Sequence, residues 1–306
     1  MKSHTIKNQE RDETKGIIYL LITAIIWGGS FISQLFGGMI MGPFSFTSFR
    51  GIFGCITIAI MIYIDNFIHY KKFIFFKSYE DKIYTIKYSL WCGFILFFAM
   101  ITQQIGVQLT DTAKSGLIAS LEVIVVPILM LIIYKRKMKL ITWLFVVLAM
   151  IGIMMLSVNS ISGINVGDVW VFLSTILYSF TIIQIPKYIK NIDPMKFSFF
   201  RFIMIGLMGY LFALIFRENI IDANNLKMAL PSILYSGVLA SGVAYTFQVI
   251  GQKHCVPVIA TLIMSLEGIF AAIFGWIILG QSLNLLQILG IIIAFISIVM
   301  AQITDY

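Results

Sequence analysis

Glu122 and Glu267 each close a Ser-Leu-Glu triplet inside a long apolar run, 145 residues apart in a chain of 306. A carboxylate at the centre of a bilayer costs about 2.5–3.5 kcal/mol on insertion scales, so it persists where something uses or satisfies it. Two chemistries are open to such a pair. It can face a cavity and hold a cationic group or a proton, or it can be a hydrogen-bonded carboxyl that locks its helix to a neighbour. Arg50 and Arg201 each follow a proline (Pro43, Pro194) by seven residues, about two helical turns inside an apolar run. An arginine there can snorkel to the headgroups, pair with a glutamate of its own half, or grip a substrate carboxylate bidentately. A third set is amide-bearing: Gln103, Gln104 and Gln108, with Gln248 and Gln252. Gln104 and Gln108 share a helix face, as do Gln248 and Gln252, and such amides either bind a zwitterion or sugar or join helices. Trp27, Ser30, Tyr178, Tyr245 and Thr246 complete the candidates for a cavity wall, against the alternative of plain packing.

These residues need elements to hold them, and the elements are apolar. The chain is 59% hydrophobic and 12% charged, about half the usual charge of a soluble domain, which excludes an ordinary water-soluble fold. Apolar runs fall at about 16–36, 43–64, 88–109, 113–134, 140–158, 168–186, 195–216, 230–252, 256–279 and 284–302. Each spans about 30 Å as a helix, the shorter ones only just, and continuous runs lack the alternation of a barrel. The polar residues 1–15 read as a tail before a first span and not as a cleavable signal. Of the 22 Lys and Arg residues, 17 fall on the N-terminal side of the expected membrane and 3 opposite, the other two being Arg50 and Arg201. That bias puts both termini in the cytoplasm. It also explains the net charge of +8 without a nucleic-acid partner, since the cations sit at span ends. Cys55, Cys92 and Cys255 have no metal-like spacing and read as free thiols.

The halves repeat. Shifted by 151, Pro43, Phe46, Phe49 and Arg50 fall on Pro194, Phe197, Phe200 and Arg201, and Trp27 on Tyr178. Further on the shift is 145, pairing Gln103, Gly106, Ser120, Leu121 and Glu122 with Gln248, Gly251, Ser265, Leu266 and Glu267. Five spans per half is an odd number, so the second half crosses the membrane in the opposite sense, as in many alternating-access transporters. The expected fold is therefore all-α and integral to the membrane: ten transmembrane helices as two inverted five-helix repeats, residues 16–158 and 166–302.

The order of several short motifs resembles the EamA-like ten-helix permeases of the drug/metabolite transporter superfamily. They are Ala24-Ile25-Ile26-Trp27-Gly28-Gly29-Ser30-Phe31 in the first span, Ser48-Phe49-Arg50 in the second, and Thr112-Ala113-Lys114-Ser115-Gly116 leading to Leu121-Glu122 with Pro127. Gly167-Asp168 opens the sixth span, and Ser265-Leu266-Glu267 runs to Gly280-Gln281-Ser282-Leu283. Gln281 stands where the family often has an acidic residue, and Val123 and Gly268 where it often has proline. The resemblance implies a bundle around a central cavity that moves small metabolites, and it selects no substrate.

No catalytic constellation is present: His4, His69 and His254 lie in the tail or loops, and no HExxH helix, P-loop or nucleophile elbow can be read. The expected partners are a small-molecule substrate and the bilayer of a bacterial plasma membrane, with no enzyme activity, cofactor or metal. Homodimerisation and proton coupling are both compatible with the chain. The expected function is secondary transport, in the direction of export, of an amino acid or similar polar or amphipathic compound. The alternatives are a lipid or amphipathic-drug translocator and a non-transporting scaffold. Close helix packing is expected at Gly116 with Ser120, Gly268 with Ala272 and Ala271 with Gly275.

Overall fold

The computed structural model describes residues 2–70, 75–76, 78–110, 112–135, 138–156, 165–219, 222–279 and 284–304, and all regular structure among them is helical. The first three spans are α1 (Lys2–Ile40), α2 (Pro43–Tyr70) and α3 (Tyr79–Leu109). The fourth is divided into α4 (Thr112–Ser120) and α5 (Glu122–Tyr134), and the fifth is α6 (Leu140–Leu156). The second half begins with α7 (Val166–Tyr188) and α8 (Pro194–Ile215). Its eighth span runs from α9 (Ala223–Leu234) through a wide π-helical segment, Tyr235–Ala244, into α10 (Tyr245–His254). The ninth is divided into α11 (Pro257–Met264) and α12 (Glu267–Leu279), and α13 (Leu285–Thr304) is the tenth. Six stretches are long and apolar enough to cross a bilayer as single helices; the fourth, fifth, ninth and tenth are shorter or interrupted.

Helix ends depart from the apolar runs where polar caps extend them. The Ser78 hydroxyl accepts from the Asp81 N–H at 3.1 Å, so α3 starts a polar turn and more before its apolar stretch. Asn165 and Asp168 form a reciprocal capping box at 2.9 and 2.8 Å, and Thr110 donates to Asp168 at 2.7 Å, tying the start of α7 to the end of α3.

The two divided spans break at matching places. The Leu121 N–H reaches back only three residues to Ile118 O (3.1 Å), and the Leu266 N–H does the same to Ile263 O (3.2 Å). The serine of each Ser-Leu-Glu triplet turns its hydroxyl onto the preceding turn: Ser120 to Gly116 O at 2.8 Å, Ser265 to Leu262 O at 2.7 Å. A hydroxyl back-bonded in this way competes with the helix ladder and bends it. The glutamate then becomes the first residue of the next helical piece.

Packing carries the duplication into three dimensions. A Cβ on Gly106 would stand 2.9 Å from Gly167 O and within 2.8 Å of Val171; a Cβ on Gly251 would stand 2.9 Å from Gly16 O and 2.6 Å from Leu20. Shifts of 145 and 151 convert one trio into the other, so α3–α7 and α1–α10 are the same crossing made twice. Gly93 abuts Arg201 and Met204 while Gly237 abuts Arg50 and Phe53, again images of each other, but here the shift is 144. The π-helical segment supplies the missing residue. It resets the register between Gly237 and Gln248, and α1 fastens it through Ser33–Ser236 (2.6 Å), Trp27 Nε1 to Ala240 O (3.3 Å) and Thr23 to Ala244 O (3.0 Å).

Of the small-residue pairs expected to bring helices together, Gly268 does so, since a Cβ there would stand 3.0 Å from Ser120 Oγ, whereas a Cβ on Gly116 would meet nothing nearer than Phe31 at 4.0 Å. The side chains of Ala272 and Lys114, and Gly275 and Gln281, lie outside what is described. Alanine substitution separates close crossings from open positions. Gly106→Ala and Gly251→Ala should each destabilise by about 1–3 kcal/mol through overpacking. Gly116→Ala should be neutral or stabilising by about 0.5–1 kcal/mol through helix propensity. Thermal unfolding in detergent reads both signs.

Candidate functional site

Two apolar clusters flank the bundle centre, one built on α1, α5, α6, α7 and α11–α13, the other on α2, α3, α7, α8 and α10. Between them lies a cavity lined by Trp27, Ser30, Phe31 and Gln34 of α1, Arg50 of α2, Gln103 of α3, Glu122 of α5, Tyr178 of α7, Tyr245 of α10 and Glu267 of α12. It has about 20 Å³ of free space, enough for a single water. The structure is therefore a closed form, and anything larger than a water fits only after the walls move.

Both glutamates reach this cavity from the breaks in their spans. Each is ten residues from the start of its span (Thr112, Pro257), about 15 Å deep. Among the described residues neither carboxylate takes a hydrogen bond or an ion pair. A helix N-terminus stabilises an adjacent anion by about 0.3–1 kcal/mol and by about 2 in favourable geometry. That is less than a midplane charge costs. Among the described residues, neither a hydrogen bond nor the helix dipole therefore offsets a charge on either carboxylate.

Neither arginine snorkels. Arg50 is 2% exposed and Arg201 0%, because both sit on the faces of α2 and α8 that pack into the bundle and not toward lipid. Arg50 is positioned by its neighbours: its Nη1 donates to Gln34 Oε1 and its Nε to Ser241 Oγ, both at 3.3 Å. Among the described residues Arg201 has no such partners. All three guanidinium nitrogens lack a hydrogen bond, and the group lies 5.3 Å from the Phe197 ring and 5.9 Å from the Tyr245 ring.

A wall of aromatic rings closes the side of the cavity toward Arg201. Tyr245 packs on Trp27 with ring centroids 4.7 Å apart, its hydroxyl donates to Tyr178 Oη (3.2 Å), and Tyr178 donates to Gln103 Oε1 (3.2 Å). The other amides do not line the cavity. Gln104 donates to Gln34 O at 3.1 Å and Gln108 to Gly38 O at 3.0 Å, so this pair joins α3 to the backbone of α1. Gln103, one residue earlier, points the other way because adjacent helical positions diverge by about 100°. Gln248, Gln252 and Thr246 are buried outside the cavity, Thr246 bonded to Gly242 O at 2.7 Å. Phe31 and Gln34 escaped the sequence reading. Gln34 had a visible signal, a lone amide in the apolar run of the first span.

The family model described as "EamA-like transporter family" matches residues 14–158 and, a second time, residues 165–302. The chain belongs to the EamA-like transporter family. An "Uncharacterized transporter" of Archaeoglobus fulgidus is 24% identical over 283 residues, covering 92% of this chain and 84% of that protein. The "Uncharacterized transporter YoaV" of Bacillus subtilis is 20% identical over 296 residues, covering 95% and 97%. A solved crystal structure superposes with a TM-score of 0.73 at 11% identity, over 94% of this chain and 98% of that one, which shows a shared fold. As an EamA-like transporter the protein is a multi-pass membrane protein, and the twofold family match coincides with the twofold packing described above.

Proposed function

We propose that this EamA-like transporter exchanges a small zwitterionic metabolite, an amino acid or a close chemical relative, for protons by alternating access of its two inverted halves. The observation that carries the reading is the charge set of the closed cavity: two carboxylates without protein partners and one positioned guanidinium. Arg50 suits a substrate carboxylate, which it can meet with two parallel N–H donors. Glu122 and Glu267 suit an ammonium group, and Trp27 and Tyr245 offer faces for a cation or an apolar side chain. A glutamate that holds the substrate's ammonium cannot hold a proton as well, so proton and substrate compete for the two carboxylates, which makes the exchange an antiport. With the lysine-rich N-terminal face in the cytoplasm of a bacterium, the inward proton gradient then drives export.

Purified protein in proteoliposomes tests this with a panel of labelled amino acids and related metabolites. At least one should show saturable flux, and a gradient of about one pH unit should concentrate a one-for-one exchanged substrate about tenfold against the proton flow. Flux of a lipid analogue without competition from any soluble metabolite would assign the fold to lipid translocation instead.

A further inference from the structure

Behind the aromatic wall lies a second polar set that the cavity does not use. Arg201 is fully buried with all three guanidinium nitrogens unpartnered, and Gln248 Oε1 and both amide atoms of Gln252 are buried and unpartnered as well. Tyr245, Gln248 and Gln252 follow at i, i+3 and i+7 and so share a face of α10. Arg201 is seven residues in from Pro194 and Gln248 six in from His254, so both lie about 10 Å below the membrane face that carries the N-terminus. Gln252 is nearer that face and Tyr245 deeper. The order from the surface inward is Gln252, then Gln248 and Arg201, then Tyr245, then the cavity.

We propose that Arg201, with Gln248 at the same depth, is a second anion-binding station, reached from the N-terminal face and taking the substrate's anionic group when the Tyr245–Tyr178 wall opens. The proposal rests on the transporter reading above. Its structural basis is the inverted repeat: exchanging the conformations of the two halves carries Arg201 into the place that Arg50 now holds. The sequence leaves that second arginine free for a ligand. Gln34, the acceptor for Arg50, has Ile185 as its image, and Ser241 has Leu96 or Phe97, depending on which side of the π-helical insertion it is counted. Both protein acceptors are thus replaced by hydrocarbon. Buried polar groups are ordinarily satisfied, and a guanidinium stripped of protein acceptors takes a carboxylate or phosphate that arrives with its own.

Cys92 is a native reporter for this station. It is 1% exposed, packs in one apolar cluster with Phe197 and Val249, and lies within electrostatic reach of Arg201. In a protein carrying Cys55→Ala and Cys255→Ala, Cys92 is labelled in sealed vesicles by an anionic (sulfonatoethyl) or a cationic (trimethylammonioethyl) methanethiosulfonate. Sidedness is scored by proteolysis of an N-terminal tag. Labelling should occur from the N-terminal face only. The anionic-to-cationic rate ratio should exceed that of free cysteine by about a hundredfold, about tenfold gained by the anion and about tenfold lost by the cation, the effect of one unit charge at about 6 Å and an effective dielectric near 40. Arg201→Gln should abolish the preference, Arg201→Lys should keep it, and excess sodium acetate, against sodium chloride, should slow labelling only where the cation is present. Labelling from the opposite face, a ratio indifferent to Arg201→Gln, or no labelling from either face while native Cys255 in a sibling variant reacts, would each overturn the proposal. None of these measurements needs the cargo, so a station can be upheld while the amino-acid reading fails, and the reverse.

Discussion

Glu122→Gln and Glu267→Gln should each reduce transport by about a hundredfold or more while leaving the folded protein as stable as before, or more stable. The amide keeps the shape of the carboxyl, replaces one of its oxygens by an NH2 donor and removes the charge. If the glutamates were helix locks, losing the acid would cost a buried bond, about 1–3 kcal/mol. Among the described residues there is no such bond to lose. Neutralisation relieves a midplane charge that the first turn of α5 or α12 only partly offsets, so the stability change should be zero or positive. Flux falls because a neutral cavity has nothing to exchange: a loss of about 2.7 kcal/mol of differential binding is a factor of about a hundred. Uptake rate and melting temperature, measured on the same preparations, decide between the readings. Retained flux with a lowered melting temperature would return both residues to a structural role.

How far the chain could be read follows from which signals are local. Ten spans were legible because each apolar run is long and ends in charge or polar residues, and the duplication was legible because Pro43, Arg50, Gln103, Gly106 and Glu122 all have images. The breaks at Leu121 and Leu266 were not legible, since the hydrophobic runs continue through them unchanged and the only sign was a serine whose hydroxyl can turn backward. Which amides face the cavity was equally hidden. Gln103 and Gln104 differ by a single step in sequence and end on different faces of α3, and the wide segment 235–244 shifts the register of everything after it by one residue. Composition gives no notice of that insertion. The arginines were left open between snorkelling, pairing and substrate contact for a related reason: snorkelling depends on which way a helix faces, and the close packing at Gly93 and Gly237 sets that facing for Arg201 and Arg50.

Arg201→Met should make the protein more stable and less active at once. A buried charge left without a partner costs about 3–5 kcal/mol, and the two flanking rings, at the outer range of cation–π contact, return about 2 kcal/mol. Methionine fills much of the same volume beside Phe197 and Tyr245 and asks for no acceptor, so the substitution should stabilise by about 1–3 kcal/mol. Arg50→Met is the internal control: it leaves Gln34 Oε1 and Ser241 Oγ without their present partner, so it should gain less or lose stability. If Arg201 were a structural element, Arg201→Met would lower both melting temperature and flux. If it were idle, stability would rise and flux would be untouched. The combination of higher melting temperature and flux lowered by about tenfold or more belongs only to a residue that the closed form tolerates at a cost because an open form uses it. Restoring an acceptor gives the complementary result. Ile185→Gln offers Arg201 the amide that Gln34 offers Arg50, and by holding the guanidinium in the closed form it should raise the melting temperature and slow turnover with the positive charge still in place.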